Sequence, residues 1–181
     1  MLQGKLVTLR AFRPEDLDAL TAFQNDVETE VLSGGDPPTP TPRETMAEMW
    51  ERRRASRDNA SFVIEADDKV IGQAGLFGAN AVSRTVMLGI TIGDKDYWGR
   101  GYGSEAVQLM VDYAFRMQNV RKVCLSVLGN NARAIAAYRK AGFVEEGRQV
   151  RQEWNDGDYV DLVLMGVFRD GAGDAVGGAE R

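Results

Sequence analysis

Three glycines alternate with large residues in Tyr97-Trp98-Gly99-Arg100-Gly101-Tyr102-Gly103-Ser104-Glu105-Ala106, and an amphipathic stretch follows at once. Glycine takes positive φ without a Cβ penalty and lets a ligand approach the backbone. Consecutive N–H groups can then converge on one concavity at the positive end of a helix dipole. Such a site suits an anion, and a phosphate above all. Other chemistries are removed by what the chain lacks. It has no histidine, which excludes a Ser-His-Asp triad, a Cys-His dyad and a His-ligated metal. Its one cysteine, Cys124, can form no intramolecular disulfide. The apolar run around Cys124 marks it as a core thiol rather than a nucleophile.

Two familiar phosphate motifs do not fit. Gly101-x-Gly103-x-x-Ala106 formally matches the dinucleotide fingerprint. The acid expected some 20 residues on, at the end of the next strand, is missing, because residues 122–128 contain no Asp or Glu. The glycines also follow a run of hairpins instead of opening a βαβ chain. A P-loop needs Gly-Lys-Ser/Thr, and no lysine follows any of these glycines.

The elements that must position this site can be read from periodicity. Residues 6–12 alternate as a strand, and Pro14-Glu15-Asp16 suits a helix start running to about residue 25 or 27. Four of the five prolines crowd into residues 37–42, which rules out helix or central strand for 33–40. Thr41-Pro42-Arg43-Glu44 reads as a capping box. It opens a helix to about residue 57 with Met46, Met49, Trp50 and Arg53 on one side and Arg52-Arg53-Arg54 as a solvated basic cluster. Residues 61–66 and 70–77 form a hairpin around Asp67-Asp68-Lys69. Residues 86–92 form the strand that enters the glycines, and Gly89 within it signals a bulge or a close backbone approach. Residues 104–117 are helical, with Gln108, Asp112 and Arg116 as a narrow polar stripe, so this helix is buried around most of its circumference. The strand 122–128 follows as its parallel partner. Asn131 caps a helix over 132–140, which Gly142 ends. Residues 143–168 are strand-like around Asn155-Asp156-Gly157-Asp158. One domain, 1–168, and a disordered Gly/Ala-rich tail, 169–181, are expected.

Composition sets outer bounds. The 181 residues are 44% hydrophobic and 27% charged, as in a soluble domain with a full core. A net charge of −5 and a pI near 4.9 argue against a nucleic-acid partner. Met1-Leu2-Gln3-Gly4-Lys5 lacks the apolar run of a signal peptide, and no apolar stretch reaches membrane-spanning length. A cytoplasmic protein with no membrane partner is the expectation.

The chain resembles a Gcn5-related N-acetyltransferase (GNAT) of the ribosomal-protein-alanine and spermidine acetyltransferase branch. The matching segments are Leu6-Val7-Thr8-Leu9-Arg10 with Pro14-Glu15-Asp16-Leu17, the glycine stretch, Asn131-Ala132-Arg133-Ala134-Ile135 through Tyr138-Arg139-Lys140-Ala141-Gly142-Phe143, and Asp156-Gly157-Asp158-Tyr159-Val160-Asp161. The resemblance implies an α/β (α+β) single-domain GNAT fold. Its mixed, mostly antiparallel sheet would have about six or seven strands with a central parallel βαβ pair, flanked by about four helices. It implies acetyl-CoA as cosubstrate, with no metal. The backbone of Arg100, Gly101, Tyr102, Gly103 and Ser104 would hold the pyrophosphate, Ile90, Thr91 and Ile92 would pair with the pantetheine arm, and Asn131 and Arg133 would contact the cofactor.

Tyr138 matches the family's general acid, which protonates the departing thiolate. With a phenol near pKa 10 and a thiol near about 8.5, donation or sharing of that proton is sensible. The reaction implied is direct attack by a primary amine, whether a protein N-terminus, a polyamine, an amino acid or an antibiotic, so the partner is a small-molecule or peptide amine. Homodimerisation is left open. Met87 stands where many relatives carry Glu, so the base must be sought elsewhere, with Glu65, Asp94, Asp96 and Glu153 as candidates. That replacement also leaves open a non-catalytic acyl-CoA-binding module. The acceptor cleft is expected between the 33–41 loop and the 145–160 hairpin.

Overall fold

The computed structural model of the chain describes residues 1–56 and 59–171. Its strands are β1 Leu2–Gln3, β2 Thr8–Arg10, β3 Ala60–Ala66, β4 Lys69–Asn80, β5 Thr85–Ile92, β6 Lys122–Leu128, β7 Val144–Asn155 and β8 Asp158–Phe168. They form one sheet in the order β1-β2-β3-β4-β5-β6-β8-β7. Every pairing is antiparallel except that of β5 with β6, which the right-handed crossover rule expects of a strand–helix–strand unit. The helices are α1 Leu17–Gln24, α2 Val27–Ser33, α3 Arg43–Ala55, α4 Tyr102–Met117 and α5 Ala132–Lys140. The α/β class and the central parallel pair agree with the sequence reading.

Two counts differ from it. The sheet has eight strands, because β1 is a two-residue pairing too short to show any period. A fifth helix, α2, lies where the first helix was expected to end. Asp26 restarts the chain there, its carboxylate accepting from Thr29 N at 2.9 Å as an N-cap. Val27, Val31 and Leu32 are the apolar residues of 27–33, and Val27 read as the end of the preceding helix's period rather than the start of a new one. The capping box at Thr41 is also absent. Pro42 is the N-cap of α3, and Thr41 donates its hydroxyl to Thr39 O and its N–H to Asn25 Oδ1. At Gly89 there is a close approach and no bulge. Gly89 pairs in register with Gly75, and a Cβ there would meet the Phe77 ring at 3.1 Å.

The sheet is covered on both faces. On one, α1 and α3 bury Leu17, Leu20, Met46 and Trp50 against Val63. On the other, α4 and α5 bury Met110, Val111, Ala114, Ile135 and Tyr138 with Leu9, Ile64, Leu76, Val86 and Leu125. Each such large aliphatic side chain contributes about 1.5–3 kcal/mol. Gln108, Asp112 and Arg116 are the exposed line of α4, as their spacing predicts. Cys124 is half-buried on the face away from α4, and burial pushes its thiol pKa up, which keeps it protonated.

Polar ties fix the N-terminal part. Arg10 makes a bidentate pair with Asp16, at 2.8 Å on both arms, and its Nε donates to Glu65 at 2.5 Å. Arg10 and Asp16 are only 4% and 2% exposed, so this pair is internal. The Glu105 carboxylate, in the first turn of α4, accepts the N–H groups of Lys5, Leu6 and Val7 at 2.7–2.9 Å. Burial raises the Glu105 pKa, but these three donors together outweigh it and hold the carboxyl below its ordinary value. At the other end, Arg169 donates to Asn119 Oδ1 and Phe115 O, which anchors the chain after β8. The rest of the expected tail, 172–181, lies outside the described residues.

Candidate active site

β5 and β6 pair only from Thr85 with Lys122 to Met87 with Cys124. Both strands continue, β5 to Ile92 and β6 to Leu128, so they diverge and leave an unpaired backbone edge inside the sheet. A cleft of about 290 Å3 fills the divergence. Ile90, Thr91 and Ile92 form one wall and Ser126 and Val127 the opposite one. The start of α4 and the face of α5 close two further sides. The short helix α2 lies across the cleft with Thr29, Leu32 and Ser33.

The glycine stretch takes the conformation its sequence suggests. Gly99 and Gly101 have φ of +70° and +96°, values an L-residue resists, and Gly101 is the N-cap of α4. The first intrahelical bond is Glu105 N to Gly101 O. Among the described residues, the N–H groups of 99–104 have no hydrogen-bond partner. Helix N-termini always leave such donors, but here they line a concave cleft beside an unpaired strand edge.

Most of the predicted site residues meet in this cleft. Ile90, Thr91, Ile92, Gly101, Gly103, Ser104, Asn131, Arg133 and Tyr138 all line it. Arg100 and Tyr102 do not line it. The Arg100 guanidinium is folded back over the rings of Tyr97 and Tyr102 and donates to Asp96 O, while Tyr102 is buried edge-on against Tyr97. Only their main-chain N–H groups remain for a ligand. The Ile92 carbonyl already accepts from Trp98 Nε1 at 2.6 Å, so that part of the strand edge is partly satisfied. Trp98 in turn stacks beneath Arg133, whose guanidinium carbon lies 3.6 Å from the ring centroid. Burial lowers the Arg133 pKa, yet arginine stays charged at any physiological pH.

Asn131 serves the fold with both ends of its amide. Its Oδ1 accepts from Ala134 N at 3.1 Å as the cap of α5, and its Nδ2 donates to Leu32 O at 2.9 Å. Asn155 makes a parallel tie to Val31 O at 2.8 Å. These two amides hold the C-terminal end of α2 over the cleft.

Tyr138 is 8% exposed, and among the described residues its hydroxyl has no hydrogen-bond partner. Burial pushes its pKa up to about 12. A phenol in that state stays protonated and has its O–H free to donate to whatever occupies the cleft.

No carboxylate lines the cleft among the described residues. The four candidate bases are committed elsewhere or lie outside it. Glu65 is tied to Arg10, Asp94 accepts from Asp96 N as the cap of a 3-10 turn, Asp96 is exposed, and Glu153 pairs across the β7–β8 hairpin with Val160. Met87 does not line the cleft either. The segments expected to wall an acceptor cleft lie mostly outside this cleft. Of residues 33–41 only Ser33, the last residue of α2, reaches the cleft, and the 145–160 hairpin touches it only indirectly through Asn155. The residues the sequence reading missed, Thr29 and Leu32 above all, belong to the helix it missed. Lys140, at the last turn of α5, adds a second cation to Arg133.

A mixed sheet opened at its one parallel pair leaves orphan backbone donors at the following helix facing the cleft. The profile of the family described as the acetyltransferase (GNAT) domain matches residues 7–144, and the chain belongs to that family. It is therefore an N-acetyltransferase of the acetyl-CoA-dependent class. Spermidine N(1)-acetyltransferase of Escherichia coli strain K12 is 30% identical over 124 residues, covering 68% of this chain and 66% of that enzyme. Its counterpart from Vibrio cholerae is 31% identical over 132 residues, covering 71% of this chain and 76% of that enzyme. A solved structure of the spermidine N-acetyltransferase from Vibrio cholerae in complex with CoA and spermine superposes with a TM-score of 0.82 at 25% identity, over 92% of this chain and 98% of that one.

Proposed function

We propose that the chain moves the acetyl group of acetyl-CoA to a primary amine by direct attack, with Tyr138 as general acid. The observation that carries this reading is one continuous cleft. It runs from the unpartnered N–H groups of 99–104, along the open edge of β5, to the unpartnered hydroxyl of Tyr138. The main-chain donors of 99–104 hold the pyrophosphate, with Arg133 and Lys140 close by as cations. The Leu88–Ile92 edge hydrogen-bonds the amides of the pantetheine arm. Acetyl-CoA supplies an activated acyl carbon at the far end. There the attacking nitrogen forms the amide bond as the carbon–sulfur bond breaks. The Tyr138 hydroxyl donates to the departing sulfur, and the proton lost by the nitrogen restores the phenol, so no net proton is consumed.

The geometry also bears on the base. With no carboxylate lining the cleft among the described residues, the amine enters neutral or loses its proton through water and the hydroxyls of Thr29, Ser33 and Ser126. The acid limb of kcat/KM is then expected to follow the acceptor amine's own pKa instead of a carboxylate's near about 4. The relatives' names make polyamines one acceptor class to test. Among the described residues no helix is long and apolar enough to cross a membrane, and a cytoplasmic enzyme on soluble amines is the reading we adopt.

Mixing the protein with acetyl-CoA and a panel of primary amines tests the proposal. The expected result is amine-dependent thiol release with matching N-acetyl product. Tight acetyl-CoA binding with no acetylation of any polyamine, amino acid, aminoglycoside or peptide N-terminus would instead make the chain a binding module. A second test addresses the phosphate site. Gly101→Val forces a β-branched residue to φ +96°, so the helix start must shift. Acetyl-CoA should bind about 10–100-fold more weakly, as read by calorimetry on a protein of unchanged circular dichroism. Unchanged affinity would place the pyrophosphate elsewhere.

A further inference from the structure

A second cavity, of about 380 Å3, lies on the α3 face of the sheet and shares Ile90 and Thr91 with the first. Its floor is made by two opposed glycines, Gly75 and Gly89, which leave the sheet bare between β4 and β5. Phe77 forms one wall and Arg53 of α3 another. Arg53 is the middle residue of the triple-arginine cluster. Arg52 and Arg54 are exposed as expected, but Arg53 follows Met46, Met49 and Trp50 on the inner side of the helix and turns into the cavity.

Arg53 is the one charged side chain lining this cavity among the described residues, beside the amides of Asn59 and Gln73 and the hydroxyls of Ser61 and Thr91. Arg53 Nη1 donates to Gln73 Oε1 at 2.8 Å, which orients the amide, and Gln73 Nε2 has no partner among the described residues. Ser61 also lines the cavity, and Thr91 does so at the junction with the first cleft. No carboxylate lines the cavity, and Arg53 has no ion-pair partner, among the described residues. Its guanidinium carbon lies 5.4 Å from the Trp50 ring centroid, so the ring orients the fork. Burial lowers the Arg53 pKa, a sign of a charge held out of water without a counter-ion.

We propose that this cavity is the acceptor site and that Arg53, with Gln73 Nε2, binds a carboxylate on the acceptor. The preferred substrate is then a small primary amine that also carries a carboxylate, of amino-acid type, and not a polyamine. The inference rests on the acetyl-transfer reading for the cavity's role but not for its chemistry. An arginine fork and a free amide N–H match the two oxygens of a carboxylate. A polyamine would bring further ammonium groups to a wall that, among the described residues, offers a cation and no acid, and such juxtaposition disfavours binding. The amino group of the bound molecule faces the junction at Ile90 and Thr91, where the two cavities meet.

Equilibrium binding to the CoA-loaded protein tests this directly. The probes are a panel of amino acids, their α-carboxamides and spermidine, measured with wild-type, Arg53→Met and Arg53→Lys protein. Methionine keeps the apolar stem over Trp50, and lysine keeps the charge without the fork. At least one carboxylate probe is expected to bind about 10-fold or more tighter than its carboxamide in the wild type. Arg53→Met should abolish that ratio and Arg53→Lys should reduce it, while CoA affinity stays constant in both. Equal binding of acids and carboxamides, or preference for spermidine undisturbed by Arg53→Met, overturns the proposal. Discrimination by Arg53 without acetylation of the bound acid would uphold the carboxylate site and defeat the acetyl-transfer reading. Acetylation of amines with no such discrimination would do the reverse.

Discussion

Tyr138→Phe is expected to lower kcat by about 10²–10⁴-fold, the usual worth of a general acid, with little change in acetyl-CoA affinity. The substitution removes one oxygen from a ring that packs 5.9 Å from Phe143, centroid to centroid, in the main core. The ring's packing survives, and the lost hydroxyl makes no hydrogen bond among the described residues, so stability should change little. Only the group that faces the departing sulfur is lost. The pH dependence adds a second signature. A general acid works below its pKa, and burial raises that of Tyr138 to about 12. Wild-type turnover should therefore show no alkaline fall from this residue up to about pH 10, the ordinary phenol range. Stopped-flow single turnover separates these terms. A variant with wild-type turnover would reduce Tyr138 to a core aromatic.

Asp16→Ala is expected to destabilise the protein by about 3 kcal/mol, measured by urea unfolding. The loss comes from the guanidinium left behind. Arg10 is 4% exposed and keeps only its Nε bond to Glu65 and its Nη1 bond to Ala11 O when both oxygens of Asp16 are removed. Asp16 also accepts from Arg13 N at 2.7 Å, so the turn into α1 loses its fixing bond as well. Replacing both partners, Arg10→Met with Asp16→Leu, should cost much less, since no uncompensated charge remains. A single-mutant loss below about 1 kcal/mol would show that water reaches Arg10. This pair explains why an arginine and a Pro-Glu-Asp turn near the N-terminus belong to the resemblance although neither approaches the cleft.

How far the sequence was legible depended on whether a residue's role is local. The helix 132–140 and the strand 122–128 were read to the residue, because a capping Asn, a terminal Gly and an unbroken apolar run are local signals. The glycine stretch announced its orphan donors for the same reason, although α4 starts two residues earlier than its apolar period suggests. Helix α2 was invisible. Its stability comes from Asp26 and from the distant amides of Asn131 and Asn155, and long-range ties leave no mark in a seven-residue window. Arg53 shows the opposite failure. Its helical spacing with Trp50 was plain, but a run of three arginines looks like solvent-facing charge until the cavity under the middle one is seen. The Met at position 87 was readable; that no acid among the described residues lines the cleft was not, because it depends on where the fold carries Glu65, Asp94, Asp96 and Glu153.

A crystal structure of the protein soaked with CoA is the most direct test of the account. It predicts the pyrophosphate on the main-chain N–H groups of 99–104 and the pantetheine arm along the open edge of β5. It also places the sulfur within about 3.5 Å of the Tyr138 hydroxyl. A CoA bound outside the divergence of β5 and β6, or one whose sulfur lies away from Tyr138, contradicts it.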